Sequence, residues 1–536
     1  MDFNTLYNPH PSARASIFAG KGMVATSHPL AAQAGLDVLK KGGNAIDAAI
    51  ATAACLTVVE PTSNGIGGDA FALVWSGGKL HGLNSSGRSP ESISIEKLQD
   101  LGHKTMPRFG VCPVNVPGVP GAWAALAKRF GKLSLADNLA PAVDYARFGH
   151  PVAPFVGKFW RRAWDAYKTH CTGAEFENWF KTFASNKNID VPPTPGEIWK
   201  SSVHAGTLEE IGASNAKSFY TGALAKQMTD FLQAYGGFLT QNDLAAFKPE
   251  WVDPISVNYH GHDVWQLPPN GQGIIGLIAL NILANFELKD DINSYHIIFE
   301  AMKQAFSAGK AAITDPVHMT VTVNELLSKD YAKQLADKMT NKALEPVPTL
   351  PNQGGTVYLC CADNEGNMVS YIQSNYMGFG SGLVVPGTGI ALQNRGADFS
   401  LDPAHINTLK GSKLTYHTII PGFLTKNAAP IGPFGVMGGY MQPQGHLQVM
   451  LSTIHGKLNP QQALDAPRWQ WMEGKKFEVE HHFPRHVISG LVERGHQIVT
   501  PADSGSFGRG QIIWRDEFGT LCGGTESRCD GHIASY

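Results

Sequence analysis

A threonine behind two glycines is the residue of this 536-residue chain whose setting best fits nucleophilic chemistry. Thr356 follows Gly354-Gly355 and begins a β-prone run that ends near Ala362. Its hydroxyl could attack the carbonyl of Gly355, because glycine permits the strained backbone that this attack requires. Cleavage there would free the amine of Thr356, which could then act as the base for its own hydroxyl. The same pattern is also typical of an ordinary junction between a loop and a strand.

The residues after Thr356 predict a β-hairpin. The sequence of 363–367, Asp-Asn-Glu-Gly-Asn, favours a tight turn, and a second strand is expected from Met368 to Gln373. Cys360 and Cys361 lie on the first strand, and a thiol nucleophile is conceivable. Neighbouring residues of a strand point to opposite faces, so buried packing is the simpler interpretation of both cysteines.

Two other stretches have residues that could contact a substrate. Gly438 and Gly439 follow a run of strand character, and two successive glycine N–H groups could form an oxyanion hole; a plain tight turn is the alternative. Arg88 lies after a predicted strand and could bind a carboxylate through both of its terminal nitrogens, or it could be a surface arginine.

Motifs spread over nearly the whole chain occur in one recognisable order. They are Leu39-x2-Gly42-Gly43-Asn44-Ala45-x-Asp47, Gly355-Thr356-x6-Asp363-x2-Gly366-Asn367, Ser374-Asn375-x2-Gly378-Phe379-Gly380, Asn394-x3-Asp398-Phe399, Gly435-x2-Gly438-Gly439 and Gly523-Gly524-x-Glu526-Ser527-Arg528. Together they resemble the γ-glutamyltranspeptidase (glutathione hydrolase) family. The resemblance implies an α+β fold, the four-layer αββα sandwich of the N-terminal nucleophile hydrolases.

The resemblance also implies how the chain is processed and what it catalyses. Residues 1–355 would form a large fragment and residues 356–536 a small one, after self-cleavage between Gly355 and Thr356, and the two would stay together as a heterodimer. Thr356 would then attack a γ-glutamyl amide, and Gly438 and Gly439 would stabilise the oxyanion. Water would complete hydrolysis, or an amine would complete transpeptidation, with hydrolysis expected to dominate. Neither a cofactor nor a metal is required.

The family pattern implies roles for further residues near the nucleophile. Ser374 would support Thr356, and Asp398 would bind the α-amino group of the glutamyl substrate, although an aspartate that caps a loop is the alternative. Arg395 replaces a glutamine or glutamate and could accept a dicarboxylic side chain. His417 and Thr418 replace a pair of serines, and Thr418 could still donate to a carboxylate.

Two positions depart from the family pattern. Asn375 lies one residue before the position of the substrate-binding asparagine, which aligns with Tyr376. Arg88 lies two residues before Pro90, where the carboxylate-binding arginine of better-known members lies four residues before. With Arg395 and the short 398–417 segment, these departures leave two alternatives to γ-glutamyl hydrolysis. One is a glutaryl-type cephalosporin acylase, and the other is an uncut, non-catalytic binding protein.

Helices and strands that would position these residues are predicted before the threonine. A helix from Pro29 to Lys41 ends at a glycine pair, and Asn44 caps a second, apolar helix from 45 to about 58, with Asp47 serving its N-terminus. Helices are also expected over 207–220 and 222–235. The proline- and glycine-rich stretch 344–355 is the expected cleavable segment.

Composition excludes several functions. The net charge is −2, and lysine and arginine are not clustered, so there is no electrostatic argument for binding nucleic acid or an anionic membrane. No apolar stretch is long enough to span a membrane, and the first residues lack the pattern of a secretory signal, so a cytoplasmic protein is expected. Seven cysteines imply no disulfide framework. His296 and Glu300 have ligand spacing but lack a third ligand in sequence, so no metal is predicted.

Overall fold

The computed structural model describes residues 14–346 and 355–536. The strands, in chain order, are β1 (Ile17–Ala19), β2 (Gly22–Thr26), β3 (Asp69–Ser76), β4 (Lys79–Ser85), β5 (His150–Pro151), β6 (Ile198–Trp199), β7 (Glu250–Val252), β8 (Ile255–Tyr259), β9 (His262–Gln266), β10 (Gly355–Asp363), β11 (Met368–Tyr376), β12 (Gly422–Lys426), β13 (Ala429–Met437), β14 (Trp469–Glu473), β15 (Lys476–Val479), β16 (Gln497–Val499), β17 (Arg509–Arg515), β18 (Leu521–Thr525) and β19 (His532–Ser535).

The helices are α1 (Pro29–Lys40), α2 (Ala45–Val59), α3 (Ile95–Asp100), α4 (Val119–Phe130), α5 (Leu135–Phe148), α6 (Pro154–His170), α7 (Glu177–Phe183), α8 (Ser202–Ser214), α9 (Lys217–Thr221), α10 (Ala223–Ala234), α11 (Gln241–Ala246), α12 (Gly273–Leu283), α13 (Ile292–Ala312), α14 (Val323–Leu326), α15 (Lys329–Asp337), α16 (Met441–Ile454), α17 (Pro460–Asp465) and α18 (Arg485–Glu493). None of those in the described part of the chain combines the length and the apolar character needed to cross a bilayer.

Two antiparallel sheets of seven strands form the centre of the protein. Their strand orders are β19-β2-β10-β11-β3-β4-β7 and β1-β18-β17-β13-β12-β9-β8. Helices α2 and α4 pack on the outer face of the first sheet, and α12 and α16 pack on the outer face of the second. A separate apolar cluster fills the space between the sheets. The fold is therefore the predicted four-layer αββα sandwich. Each sheet takes strands from before and after Gly355, so the two parts of the chain share both sheets.

Alternation along β10 distributes its side chains between two cores. Val357, Leu359 and Cys361 pack with the outer helices, whereas Tyr358 and Cys360 lie between the sheets. Cys360 and Cys361 thus point to opposite faces, as expected from the period of a strand. Burial raises the pKa of both thiols, so neither presents a thiolate at neutral pH.

The start of α2 shows the predicted capping. The Asn44 side chain accepts hydrogen bonds from the backbone N–H groups of Ile46 and Asp47, and the Asp47 carboxylate accepts from the N–H of Asn44 at 3.0 Å. The prediction of a continuous helix over 207–220 was wrong. Asn215 and Ala216 have φ values of 50° and 62°, and these two left-handed residues separate α8 from α9.

Candidate active site

Thr356 lies at the start of β10, where the pairing with β11 is irregular. Gly355 is opposite Tyr376, and the register shifts between Gly355 and Val357. The side chain of Thr356 is buried, and its Oγ1 donates to Oγ of Ser374 at 3.1 Å. Gly354 and the rest of the predicted cleavable segment after residue 346 lie outside the described residues.

The hydroxyl of Ser374 is fully used. It donates to the carbonyl oxygen of Gly355 at 2.5 Å, and it accepts from the N–H of Tyr376 at 2.8 Å and from Thr356 Oγ1. A hydroxyl has one proton and two lone pairs, so these three hydrogen bonds use the whole hydrogen-bonding capacity of Ser374. Since the proton of Ser374 goes to Gly355, the hydroxyl of Thr356 must be the donor in the bond that joins them. The lone pairs of Thr356 Oγ1 therefore remain available for attack.

Gly438 and Gly439 lie between β13 and the N-terminus of α16. Their φ values are 138° and 59°, a backbone region that side-chain-bearing residues rarely adopt. The described part of the chain offers no acceptor for the N–H of either glycine, whereas the carbonyl of Gly439 accepts from Gln272 Nε2 at 2.8 Å. Gly355 and Gly438 line the same cavity, of about 330 Å³. Gly438 thus shares a cavity with Gly355, and the two N–H groups without acceptors are the kind of donors that an oxyanion hole requires.

Arg395 begins a 3₁₀ turn that ends at Asp398, and its side chain is only 1% exposed. Its Nη1 donates to Thr418 Oγ1 at 2.9 Å and lies 3.4 Å from Asp398 Oδ2. The guanidinium stacks over the ring of Tyr376 at 3.9 Å. Within residues 14–346 and 355–536, no acceptor is found for Nε or Nη2. A buried arginine with two unused donors favours an anionic ligand at this place.

Asp398 is held by several side chains at once. Besides Arg395, the hydroxyls of Tyr376 and Tyr440 donate to its Oδ1 at 2.8 and 3.0 Å. Lys310 on α13 donates to the Tyr440 hydroxyl at 2.6 Å and lies 4.0 Å from the centre of that ring. Burial lowers the pKa of Lys310 to about 8, although the charge of Asp398 partly opposes this shift. The carboxylate is therefore enclosed by donors before any substrate enters.

His417 contacts a carboxylate instead of the cavity. Its Nε2 lies 3.1 Å from Oδ2 of Asp69, a residue of the glycine-rich loop that precedes β3. Gln393 donates to the same oxygen at 3.1 Å. Burial raises the pKa of Asp69 to about 7, and burial, with the nearby charge of Arg395, lowers the pKa of His417 well below its usual range. His417 is thus a neutral histidine that packs behind Arg395.

Asn375 faces away from the nucleophile. The strand was expected to end at Gln373, but β11 continues to Tyr376, so alternation places Ser374 and Asn375 on opposite faces of the sheet. A side chain added at Gly65 would meet the Asn375 amide nitrogen at 2.8 Å, so Asn375 packs against the glycine-rich loop. The geometry therefore does not support a substrate contact of Asn375, whereas Tyr376 lies opposite Gly355 and its ring lies under the guanidinium of Arg395.

Arg88 is not brought together with the other predicted residues. Its Nη1 donates to the buried Asp315 at 2.7 Å, and its side chain is 40% exposed. It lines a second cavity, of about 460 Å³, which Gly355 and Gly438 do not line. The geometry therefore does not support the hypothesis that Arg88 binds the substrate carboxylate.

The third ligand that sequence lacked for His296 and Glu300 is present in space. His496 accompanies them, with ligand atoms all within 4.8 Å of one another. However, the ammonium of Lys303 lies 2.6 Å from Glu300 Oε1, and His296 Nε2 donates to the carbonyl of Thr340 at 2.7 Å. The protein's own lysine thus already supplies the cation that this buried carboxylate needs.

Three residues of the site, Tyr440, Lys310 and Gln272, were not predicted from the sequence. Tyr440 directly follows Gly438-Gly439, and this proximity was the available indication. Lys310 and Gln272 belong to no motif, and they reach the site because α12 packs on α16 and α13 packs on α12.

The chain is similar to known proteins over nearly its whole length. A sequence model of the family described as Gamma-glutamyltranspeptidase matches residues 31–536. The chain is 37% identical to the glutathione hydrolase-like YwrD proenzyme of Bacillus subtilis, over 96% of this chain and 98% of the relative. It is 33% identical to the oxamate amidohydrolase proenzyme of Klebsiella pneumoniae, over 96% and 98%. The crystal structure of cephalosporin acylase from Bacillus halodurans superposes with a TM-score of 0.95 at 58% identity, over 100% of this chain and 99% of that chain.

Proposed function

Because the chain belongs to the γ-glutamyltranspeptidase family of N-terminal nucleophile hydrolases, we propose that it is a self-processing hydrolase of amides whose acyl group carries a second carboxylate. The observation that carries this proposal is the buried guanidinium of Arg395, which has two donors without acceptors in the described structure and stacks on Tyr376 beside the nucleophile. γ-Glutamyl amides are the first substrate class that we assign to this site.

Self-cleavage starts from the contacts around Thr356. Its Oγ1 attacks the carbonyl carbon of Gly355, while the hydroxyl of Ser374 donates to the developing oxyanion. The C–N bond between Gly355 and Thr356 breaks, the nitrogen takes up the proton from Oγ1, and an ester remains. Water then hydrolyses the ester, which leaves a carboxylate on Gly355 and a free amine on Thr356. The products are a large fragment, 1–355, and a small fragment, 356–536.

Turnover repeats this chemistry on a substrate. The amine of Thr356 takes the proton from Oγ1 as the oxygen attacks the substrate amide, and the N–H groups of Gly438 and Gly439 stabilise the oxyanion. The leaving amine takes the proton, and an ester of Thr356 remains. Attack by water regenerates the enzyme and releases the acid; attack by a second amine transfers the acyl group. We expect water to dominate, since no acceptor motif was found in the sequence.

Glutaryl amides are the second candidate, and the ion pair between Arg395 and Asp398 favours them. A γ-glutamyl group brings an ammonium that must reach Asp398, yet Oδ1 already accepts from two tyrosines and Oδ2 faces Arg395. A glutaryl group has no ammonium and would require only Arg395 and Thr418. The similarity to a protein named cephalosporin acylase supports this candidate, and the similarity to a glutathione hydrolase-like protein supports γ-glutamyl substrates.

The test compares γ-glutamyl and glutaryl 4-nitroanilides on the purified protein, together with its intact mass under denaturing conditions. We expect two fragments, the smaller beginning at Thr356, and release of nitroaniline from at least one substrate. The Thr356→Ala variant should remain a single chain and should be inactive. A wild-type chain that stays uncut and inactive would refute the proposal and leave the non-catalytic binding protein. Cleavage of Thr356→Ala would refute the assignment of the nucleophile.

A further inference from the structure

The cavity that Gly355 and Gly438 line has a strongly basic wall. Arg108, Arg162, His170 and Arg509 line it, and no aspartate or glutamate of the described residues does. This concentration of positive charge contrasts with the net charge of −2 of the whole chain. We call this space, with its basic and aromatic walls, the amine cavity.

Two of its arginines form no direct ion pair in the described residues, although the pKa of the nearby Asp503 is lowered by its hydrogen bond from Lys158 and, to a smaller extent, by the charge of Arg162. Arg108 and Arg162 are exposed, and no aspartate or glutamate of residues 14–346 or 355–536 lies within ion-pair distance of either. The nearby carboxylate of Asp503 accepts from Lys158 at 3.1 Å. Unpaired guanidinium groups at the wall of a cavity attract and orient anions.

Arg509 adds a third charge, deeper in the amine cavity. Its guanidinium lies 4.2 Å from the ring centre of Phe159, and its Nε has no acceptor in the described structure. Nη1 is 3.6 Å from Glu60 Oε1. Burial raises the pKa of Glu60 to about 7, so this carboxylate only partly neutralises Arg509 at neutral pH.

The remaining wall of the amine cavity is apolar. The position of the cavity indicates which half of a substrate would bind in it. Phe159, Trp471 and Met441 line it together with Gly438. Arg395 and Asp398 lie outside the lining, and Tyr440, which does line the cavity, donates its hydroxyl to Asp398 Oδ1 at 3.0 Å. An acyl group bound at Arg395 would therefore leave its amine partner in the amine cavity, beside the oxyanion donors.

We propose that the amine cavity selects substrates whose leaving amine has a carboxylate on an apolar or aromatic body. The arginines would bind the carboxylate, and the aromatic wall would cover the body. This inference rests on the proposed function, because it assumes that the acyl half binds at Arg395. It adds a specificity for the half of the substrate that leaves first.

Binding of the two product amines tests this inference without turnover. 5-Amino-2-nitrobenzoate and 4-nitroaniline differ by one carboxylate, and their affinities for the purified protein are measured by NMR titration. We expect the carboxylated amine to bind about tenfold more tightly at low salt, and the preference to shrink as ionic strength rises, because salt screens exposed charges. Equal affinities would overturn the inference, whether or not the protein cleaves amides.

Variants of the cavity arginines test which residues cause the preference for the carboxylated amine. Arg108→Gln combined with Arg162→Gln should reduce the ratio of the two affinities to below about threefold. Arg161→Gln is the matched control, since Arg161 is an exposed neighbour on α6 that does not line the cavity. A ratio that survives the double variant, or that falls equally in the control, would overturn the assignment to these arginines.

Kinetics separate the two proposals. With one acyl group held constant, the carboxylated anilide should have the higher kcat/KM, and the double variant should lose this difference. Absence of hydrolysis together with a preserved binding preference would contradict only the proposed function. Hydrolysis of both anilides with equal kcat/KM would contradict only the amine cavity.

Discussion

Ser374→Ala tests the proton arrangement around the nucleophile. The change removes the hydroxyl that donates to the Gly355 carbonyl at 2.5 Å and accepts from Thr356 Oγ1 at 3.1 Å. Loss of one oxyanion donor slows acyl transfer by about 10²–10³, or roughly 2.7–4 kcal/mol of barrier. We therefore expect self-cleavage of Ser374→Ala to be slower by at least about a hundredfold.

The same change also leaves a buried N–H without its acceptor, and this effect must be separated from catalysis. The N–H of Tyr376 donates to Ser374 at 2.8 Å, and an unsatisfied buried donor costs about 1–3 kcal/mol of folding stability. Ser374→Thr is the matched control because it keeps the hydroxyl in a strand position that suits a β-branched residue. It should process within about tenfold of the wild-type rate.

The assay follows conversion of freshly synthesised chain to two fragments by intact mass, with urea unfolding of each variant in parallel. Ser374→Ala should accumulate as a folded, uncut chain. If Ser374→Ala were cleaved at the wild-type rate while its stability fell as expected, the hydroxyl would be structural and the assignment of the donor to Gly355 would be refuted.

Three further predictions concern buried charges. Asp398→Asn should lower kcat/KM for γ-glutamyl anilide by more than about tenfold relative to glutaryl anilide; an unchanged ratio would exclude Asp398 as the ammonium site. Lys310 holds its proton less tightly in the folded state, so its own contribution to stability grows between about pH 8 and the ordinary lysine pKa of roughly 10.4, and the melting temperature of the wild type relative to Lys310→Met should increase over this range in thermal melts. Glu300→Gln should cost about 3–5 kcal/mol in urea unfolding because it strands the buried ammonium of Lys303, whereas Lys226→Ala, in an exposed pair, should cost less than about 1 kcal/mol.

Local features of the fold could be predicted from the sequence because neighbouring residues determine them. The capping of α2 by Asn44 and Asp47 depends on residues three apart, and the β10–β11 hairpin depends on the turn at 363–367. The four-layer αββα arrangement was predicted from the resemblance to a family and not from the residues themselves. The prediction of one helix over 207–220 failed because Asn215, a residue type that often adopts the left-handed conformation at the end of a helix, was not read as a stop, and alanine at 216 gives no such signal.

Only the site residues that belong to short sequence motifs could be predicted. Thr356, Ser374 and the glycine pair follow from motifs, but the partners of Asp398 come from β11, α13 and the turn before α16. The family pattern already aligned its substrate-binding asparagine with Tyr376, and β11 extends three residues beyond the expected end, to Tyr376. Contacts of this kind depend on register and on packing between distant elements, and a single sequence records neither directly.

The distribution of charge around Thr356 connects the two proposals. On the acyl side, Arg395 is buried and Asp398 already balances much of its charge, so a bound carboxylate must complete an existing network. On the amine side, Arg108 and Arg162 are exposed and form no direct ion pair in the described residues, so an anion there gains attraction that solvent and salt weaken. Binding of the acyl half should thus be highly selective, with an affinity that does not depend on salt. Binding of the amine half should be less selective, with an affinity that falls as salt increases. Because an amine that leaves through the cavity can return by the same path, any acyl transfer to a second amine should favour amines with the same carboxylate.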